Sequence, residues 1–182
     1  MRSVPGLLVI AVLLAGTVPA AAQAPAALRG KSITVSWTES RSQRDAGQTA
    51  FRPVTLPFDF TVYVSSEGRA FKRLTSQSAS RRHVGTKEGV GSGRASSEGL
   101  TAIAIRGNTI VNSNTSGGLG RRIQITMDSS FSSCTAQVVS GKPPGSKVVA
   151  VRSVATKNMV EFESVSAGPA TCSIRAGNAF AN

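Results

Sequence analysis

One histidine, two cysteines and nine acidic residues are all that this 182-residue chain offers for acid–base, thiol or metal chemistry. His83 with Cys134 and Cys172, two cysteines expected to be oxidised to a disulfide, cannot make a standard zinc site, so neither a metal nor a cofactor is assigned. Aromatic residues make up only 5% of the chain, too few for a sugar-stacking cleft or for the stacking platforms that read single-stranded nucleic acid. Neither G-x-S-x-G nor S-x-x-K, the spacings that expose a serine nucleophile, occurs. The glycine loops fail as phosphate cradles too. Gly89-Val90-Gly91-Ser92-Gly93 lacks the second spacing of G-x-G-x-x-G and opens no amphipathic helix, and Gly30-Lys31-Ser32 has Pro25 where a P-loop needs its first glycine.

Long apolar runs are absent after the first two dozen residues, MRSVPGLLVIAVLLAGTVPAAAQA. There, Arg2 precedes an apolar stretch from Leu7 to Ala15 and then small residues, the pattern of a secretory signal peptide and too short to span a membrane. Cleavage after Ala22 or after Ala24 satisfies the small-residue rule. The second frame puts Pro25 first in the mature chain, so residues 1–22 are read as the leader and 23–182 as one domain with no membrane span, periplasmic or secreted. In an oxidising compartment, Cys134 and Cys172 are expected to form a disulfide; they lack the C-x-x-C spacing of a reactive pair.

Negative charge is the other scarcity. Twenty-one basic residues face nine acidic ones, giving a net charge of +12 and a pI near 11.3. Between residues 69 and 94 lie Arg69, Lys72, Arg73, Arg81, Arg82, Lys87 and Arg94 against the single acid Glu88. Cations at this density attract phosphate, lipid headgroups or acidic polysaccharide through counterion release, which is salt-dependent and blind to sequence. Without interleaved aromatics, sequence-specific nucleic-acid binding is not expected.

What the mature chain has in quantity is period-two alternation. Ile33, Val35 and Trp37 alternate with Ser32, Thr34, Ser36 and Thr38; Phe58, Phe60, Val62 and Val64 with Asp59, Thr61, Tyr63 and Ser65; Ile123, Ile125 and Met127 with Arg122, Gln124, Thr126 and Asp128. Cys134, Ala136 and Val138 share a face, as do Cys172 and Ile174. Turns are expected at Ser66-Glu67-Gly68, Gly107-Asn108, Ser116-Gly117-Gly118, Ser129–Ser133, Pro143-Pro144-Gly145 and Ser166-Ala167-Gly168-Pro169. The pattern predicts an all-β domain. It is an antiparallel meander of eight to ten strands, closed as a barrel or folded as a sandwich to hide its edges, with one disulfide. Gly177 to Asn182 reads as a frayed tail.

Residues 75–99 stand apart as a long basic Ser/Gly-rich loop, with at most a hairpin around Arg82–Thr86. His83 lies in it, but no nucleophile or orienting carboxylate can be assigned to it. Glu161 and Glu163 would share a strand face about 7 Å apart, a spacing within the roughly 5–9 Å of glycosidase pairs, yet also that of two acids on a wet face. Catalytic residues are therefore not assigned.

The stretches GKSITVSWTESR, FTVYVSSEGRAFKR and RRIQITMDSSFSSCTAQVV resemble a group of small exported β-rich proteins of alphaproteobacterial type. That likeness implies an exported β domain and brings no activity with it. Trp37 and the meander order also resemble lipocalin-type barrels, although Val35-Ser36-Trp37 departs from their G-x-W signature. The leading expectation is a non-enzymatic exported protein whose basic segment binds anionic envelope or extracellular material. The alternatives are a calycin-like carrier of a small apolar ligand and an exported hydrolase using His83.

Overall fold

The computed structural model describes residues 24–78, 81–83, 103–116, 118–153 and 157–180. After a 3-10 turn at Ala26–Leu28 come ten strands: β1 (Lys31–Asp45), β2 (Arg52–Val64), β3 (Ala70–Ser78), β4 (Arg81–His83), β5 (Ile103–Arg106), β6 (Thr109–Ser116), β7 (Leu119–Met127), β8 (Cys134–Gly141), β9 (Val149–Arg152) and β10 (Met159–Ala176). All pairings are antiparallel and form two sheets, β4-β3-β2-β1-β10-β9 and β5-β6-β7-β8. The domain is all-β, and its sheets are not closed as a barrel.

Alternation decides which side of each strand is dry. Ile33, Val35 and Trp37 on β1 and Phe58, Phe60, Val62 and Val64 on β2 face Ile110 on β6 and Ile123, Ile125 and Met127 on β7, all buried in one cluster. Each such side chain contributes about 1.5–3 kcal/mol on full burial. A calycin-like carrier needs a closed barrel around a cavity. Among the described residues the two sheets are separate, with large aliphatic and aromatic side chains packed between them.

The hairpin turns at Ser66-Glu67-Gly68 and Gly107-Asn108 form where expected, with Gly68 at φ +80° and Gly107 at φ +55°, backbone that a Cβ disfavours. Ser166-Ala167-Gly168-Pro169 is not a turn. β10 runs through it, and Gly168 and Pro169 form a bulge where the register with β1 steps from Trp37↔Ala170 to Glu39↔Ala167. A Cβ on Gly168 would lie 3.3 Å from the Thr38 carbonyl oxygen, so glycine lets the backbones approach there. β2 likewise starts earlier than its apolar alternation suggests. Pro53 and Pro57 are tolerated because β3 pairs with β2 only from Phe58 onward, leaving the first half of β2 as an edge.

The segment 75–99, read as one loop, is partly strand: β3 continues to Ser78 and hairpins back as β4, pairing Ser76 with His83. The chain end expected to fray is instead pinned as far as Phe180. Gly177 N–H donates to the Gly30 carbonyl (2.7 Å), Ser32 Oγ donates to the Gly177 carbonyl (2.7 Å), and Ala179 N–H donates to Ser32 Oγ (2.9 Å).

Among the described residues, covalent and polar cross-links join the sheets. Cys134 on β8 is bonded to Cys172 on β10, with Cα atoms 5.6 Å apart, fastening the side on which β8 runs beside β10. Lys31 Nζ donates to the carbonyl of Phe131, in the β7–β8 turn (3.0 Å). Lys72 Nζ on β3 donates to Asn112 Oδ1 on β6 (2.8 Å), and Glu39 on β1 accepts from Arg121 on β7 and Ser140 on β8.

Candidate anion-binding surfaces

Alternation along β3 sorts the predicted basic residues onto different faces. Ala70 and Lys72 point between the sheets, whereas Phe71 and Arg73 point outward. Outside, the Phe71 ring stacks near Tyr63 of β2 (centroids 6.3 Å), and the tail brings Phe180 edge-on to Tyr63 (6.4 Å). The Arg73 guanidinium lies over Phe180 at 4.5 Å, and that of Arg69, in the β2–β3 turn, over Phe71 at 5.8 Å. Cation–π contacts of this kind hold a guanidinium flat while leaving its edge to hydrogen-bond outward. The Arg73 Nε is buried without a partner. Three aromatic residues too dispersed in sequence to read as a platform thus meet on one face beside two arginines.

Lys72 does not belong to this surface. It is a buried residue bonded to Asn112, and burial holds its ammonium pKa below the ordinary lysine value. Its apolar neighbours at the same parity, Ala70 and Leu74, were the signal in the sequence. Arg81, Arg82 and His83 make up β4, the edge strand beside β3, so the backbone continues from Arg69 and Arg73 into this basic pair. Lys87 and Arg94 lie outside the described residues.

Glu161, Glu163 and Asp128 are engaged locally. Glu161 Oε2 accepts from Arg44 Nε (2.5 Å) and Glu163 Oε2 from Ser42 Oγ (2.9 Å), pairings between neighbouring strands. The exposed Asp128 accepts from the Ser132 and Ser133 N–H groups and from the Ser130 and Ser132 hydroxyls, which shapes the turn before β8 and pulls its pKa well below the usual range.

A second cluster, at the far end of the inner face, escaped the sequence reading. Glu39 follows Trp37 on the inward parity of β1 and is only 1% exposed. Its Oε1 accepts from Arg41 Nε (2.7 Å) and pairs with Arg41 Nη2 at 2.6 Å. Its Oε2 accepts from Arg121 Nη2 (2.7 Å) and Nε (3.2 Å) and from Ser140 Oγ (2.9 Å). Burial raises the pKa of this carboxyl, but the charges and hydrogen bonds of Arg121 and Arg41 outweigh that and hold it below its ordinary value.

The guanidiniums rest on rings: Arg121 over Phe58 (4.5 Å) and Trp37 (5.6 Å), Arg41 over Phe58 (5.3 Å) and Phe162 (5.5 Å). Trp37 and Phe58 are themselves stacked at 5.3 Å. Burial is the largest effect on Arg41, lowering its pKa against the pull of Glu39, and Arg121 repels it further. The buried Trp37 Nε1 and Gln43 Oε1 have no hydrogen-bond partner. The signal was present: Glu39 extends the parity of Ile33, Val35 and Trp37, and Arg121 that of Ile123, Ile125 and Met127, so each puts a charge on an apolar face.

Comparison with protein-family models, with curated proteins and with solved structures finds no match. The functional reading therefore rests on these residues alone.

Proposed function

We propose that this is an exported, non-enzymatic β protein, periplasmic or secreted, that binds an anionic polymer of the envelope or extracellular space. The binding surface is the outer side of β3 together with the adjoining basic segment. The observation that carries the reading is the placement of Arg69 and Arg73 on the rings of Phe71 and Phe180, immediately before the Arg81–Arg82 edge strand. Aromatic backing fixes the side chains and so lowers the entropy lost on binding, while the net charge of +12 supplies long-range attraction. Lys72 is excluded from the surface by its burial, which leaves Arg69, Arg73, Arg81, Arg82, Lys87 and Arg94 as its cations.

The test is retention of residues 23–182 on immobilised heparin, with anionic vesicles as a second arm. Binding should weaken steeply between low and physiological salt, and an Arg69→Gln/Arg73→Gln double variant should reduce the salt slope by roughly two charges. Absent or salt-insensitive binding to heparin overturns the reading. Tighter binding to vesicles than to heparin would move the partner from a polymer to lipid headgroups.

A further inference from the structure

The cluster around Glu39 holds one more positive charge than negative in a largely dry place. Two guanidiniums meet on one carboxylate, and with side-chain exposures of 16% for Arg41 and 17% for Arg121 neither is fully solvated. Glu39 engages the Nε and Nη2 groups of both arginines. The Nη1 group of each has no hydrogen-bond partner among the described residues and is not completely buried. Trp37 adds a buried N–H without a partner beside Arg121. Held donors, excess positive charge and aromatic backing make a site that a single anion would neutralise, relieving the repulsion between the two arginines.

We propose that Arg41 and Arg121, positioned by Glu39 and Ser140, bind a small carboxylate at the end of the space between the sheets. This site is separate from the outer face of β3 and does not depend on the polymer reading. A carboxylate fits because its two oxygens match the planar, forked donors of guanidinium. The rings of Phe58, Phe162 and Trp37 already anchor the arginines, so little further ordering is needed on binding.

Trp37 is the only tryptophan in the chain, so its fluorescence reports on this site alone. Residues 23–182 are titrated with sodium acetate and sodium galacturonate against sodium chloride at matched ionic strength. Tryptophan emission and the arginine Nε–Hε nuclear magnetic resonance signals are followed together. The expected result is a saturable change in Trp37 emission and in the Arg41 and Arg121 signals with the carboxylates and not with chloride. Arg41→Gln should weaken it by about tenfold or more, as loss of a charged hydrogen-bond partner implies. Should that variant fail to fold, Arg41→Lys, which keeps the charge and loses the fork, should weaken it several-fold. Arg69→Gln/Arg73→Gln should leave it unchanged while reducing the salt slope of heparin retention, so the two proposals fail separately. A response to carboxylates no different from that to chloride, or a saturable response of unchanged affinity in the Arg41 variants, overturns the inference.

Discussion

Arg121 Nη2 on β7 lies 2.7 Å from Glu39 Oε2 on β1, so a charged hydrogen bond crosses between the two sheets at the end of their apolar core. Arg41 reaches the same carboxylate from β1 itself, and Ser140 from β8. Three strands of two sheets therefore converge on one buried acid. At Glu39 and Arg121 the cluster takes the place of hydrophobic packing between β1 and β7.

Removing the acid should be far more damaging than removing either base. Glu39→Gln leaves two guanidiniums facing each other in a poorly solvated site, and the loss expected for breaking a buried ion pair is about 3–5 kcal/mol. Arg41→Gln should cost less, because Glu39 keeps Arg121 and Ser140. Urea-denaturation midpoints of the two variants check the ordering; equal losses would contradict it.

Acid should weaken the same cluster. The Glu39 pKa is depressed in the folded protein, so its contribution is complete above the ordinary carboxylate value and is lost as pH falls through the lower folded value. Stability of the native protein should fall below the usual carboxylate range, and Glu39→Gln should show a shallower fall over that interval. Thermal unfolding across acidic pH compares the slopes.

Lys72 adds a rise of stability with pH of the same sign, at alkaline pH. Burial lowers its pKa, so between the lowered value and the ordinary lysine value the unfolded chain binds more protons and stability rises with pH. Lys72→Met should flatten that alkaline rise. It should also leave heparin retention unchanged, since the side chain faces Asn112 and not the outer surface. Loss of retention in this variant would contradict its placement.

Reduction of Cys134–Cys172 frees a loop with a sequence separation of 38 residues. The chain-entropy model assigns such a cross-link about 4 kcal/mol as an upper value. Cys134→Ser/Cys172→Ser should unfold at lower denaturant concentration by no more than that, with the β-sheet signature in far-ultraviolet circular dichroism retained.

On the proposal that the protein is exported, a leader should be removed after Ala22. Ala24 is buried in the core cluster, and Leu28, in the 3-10 turn that follows, is fully buried. Cleavage after Ala24 would delete a packed residue and place a charged terminus at Pro25. Material exported from cells should begin at Gln23, as read by N-terminal sequencing; a start at Pro25 would contradict this.

Much of the fold was legible because a strand with one dry face writes that face into every second residue. Ile33, Val35 and Trp37, or Ile123, Ile125 and Met127, specify both a strand and its inward side. The glycines at 68 and 107 specify the turns, because the backbone there takes positive φ. The cysteine pairing followed from there being only two. The bulge at Gly168-Pro169 was not legible, since the same residues make a turn in isolation. Only the neighbouring Thr38 backbone, paired on the far side of the chain, selects the extended form. The pairing of Ser76–Ser78 with Arg81–His83 was likewise hidden, since that stretch of sequence holds no large apolar residue.

The candidate sites divide along the same line. Sequence alone determined that positive charge dominates and that it concentrates between residues 69 and 94. Tertiary structure decided which of those charges face water. Strand parity turns Lys72 inward toward Asn112 and Arg73 outward beneath Phe180, a residue more than a hundred positions later. Only the stacking of the sheets brings Glu39 to Arg121, eighty-two positions apart, because burying a carboxylate is tolerable only where another strand delivers its counter-charge.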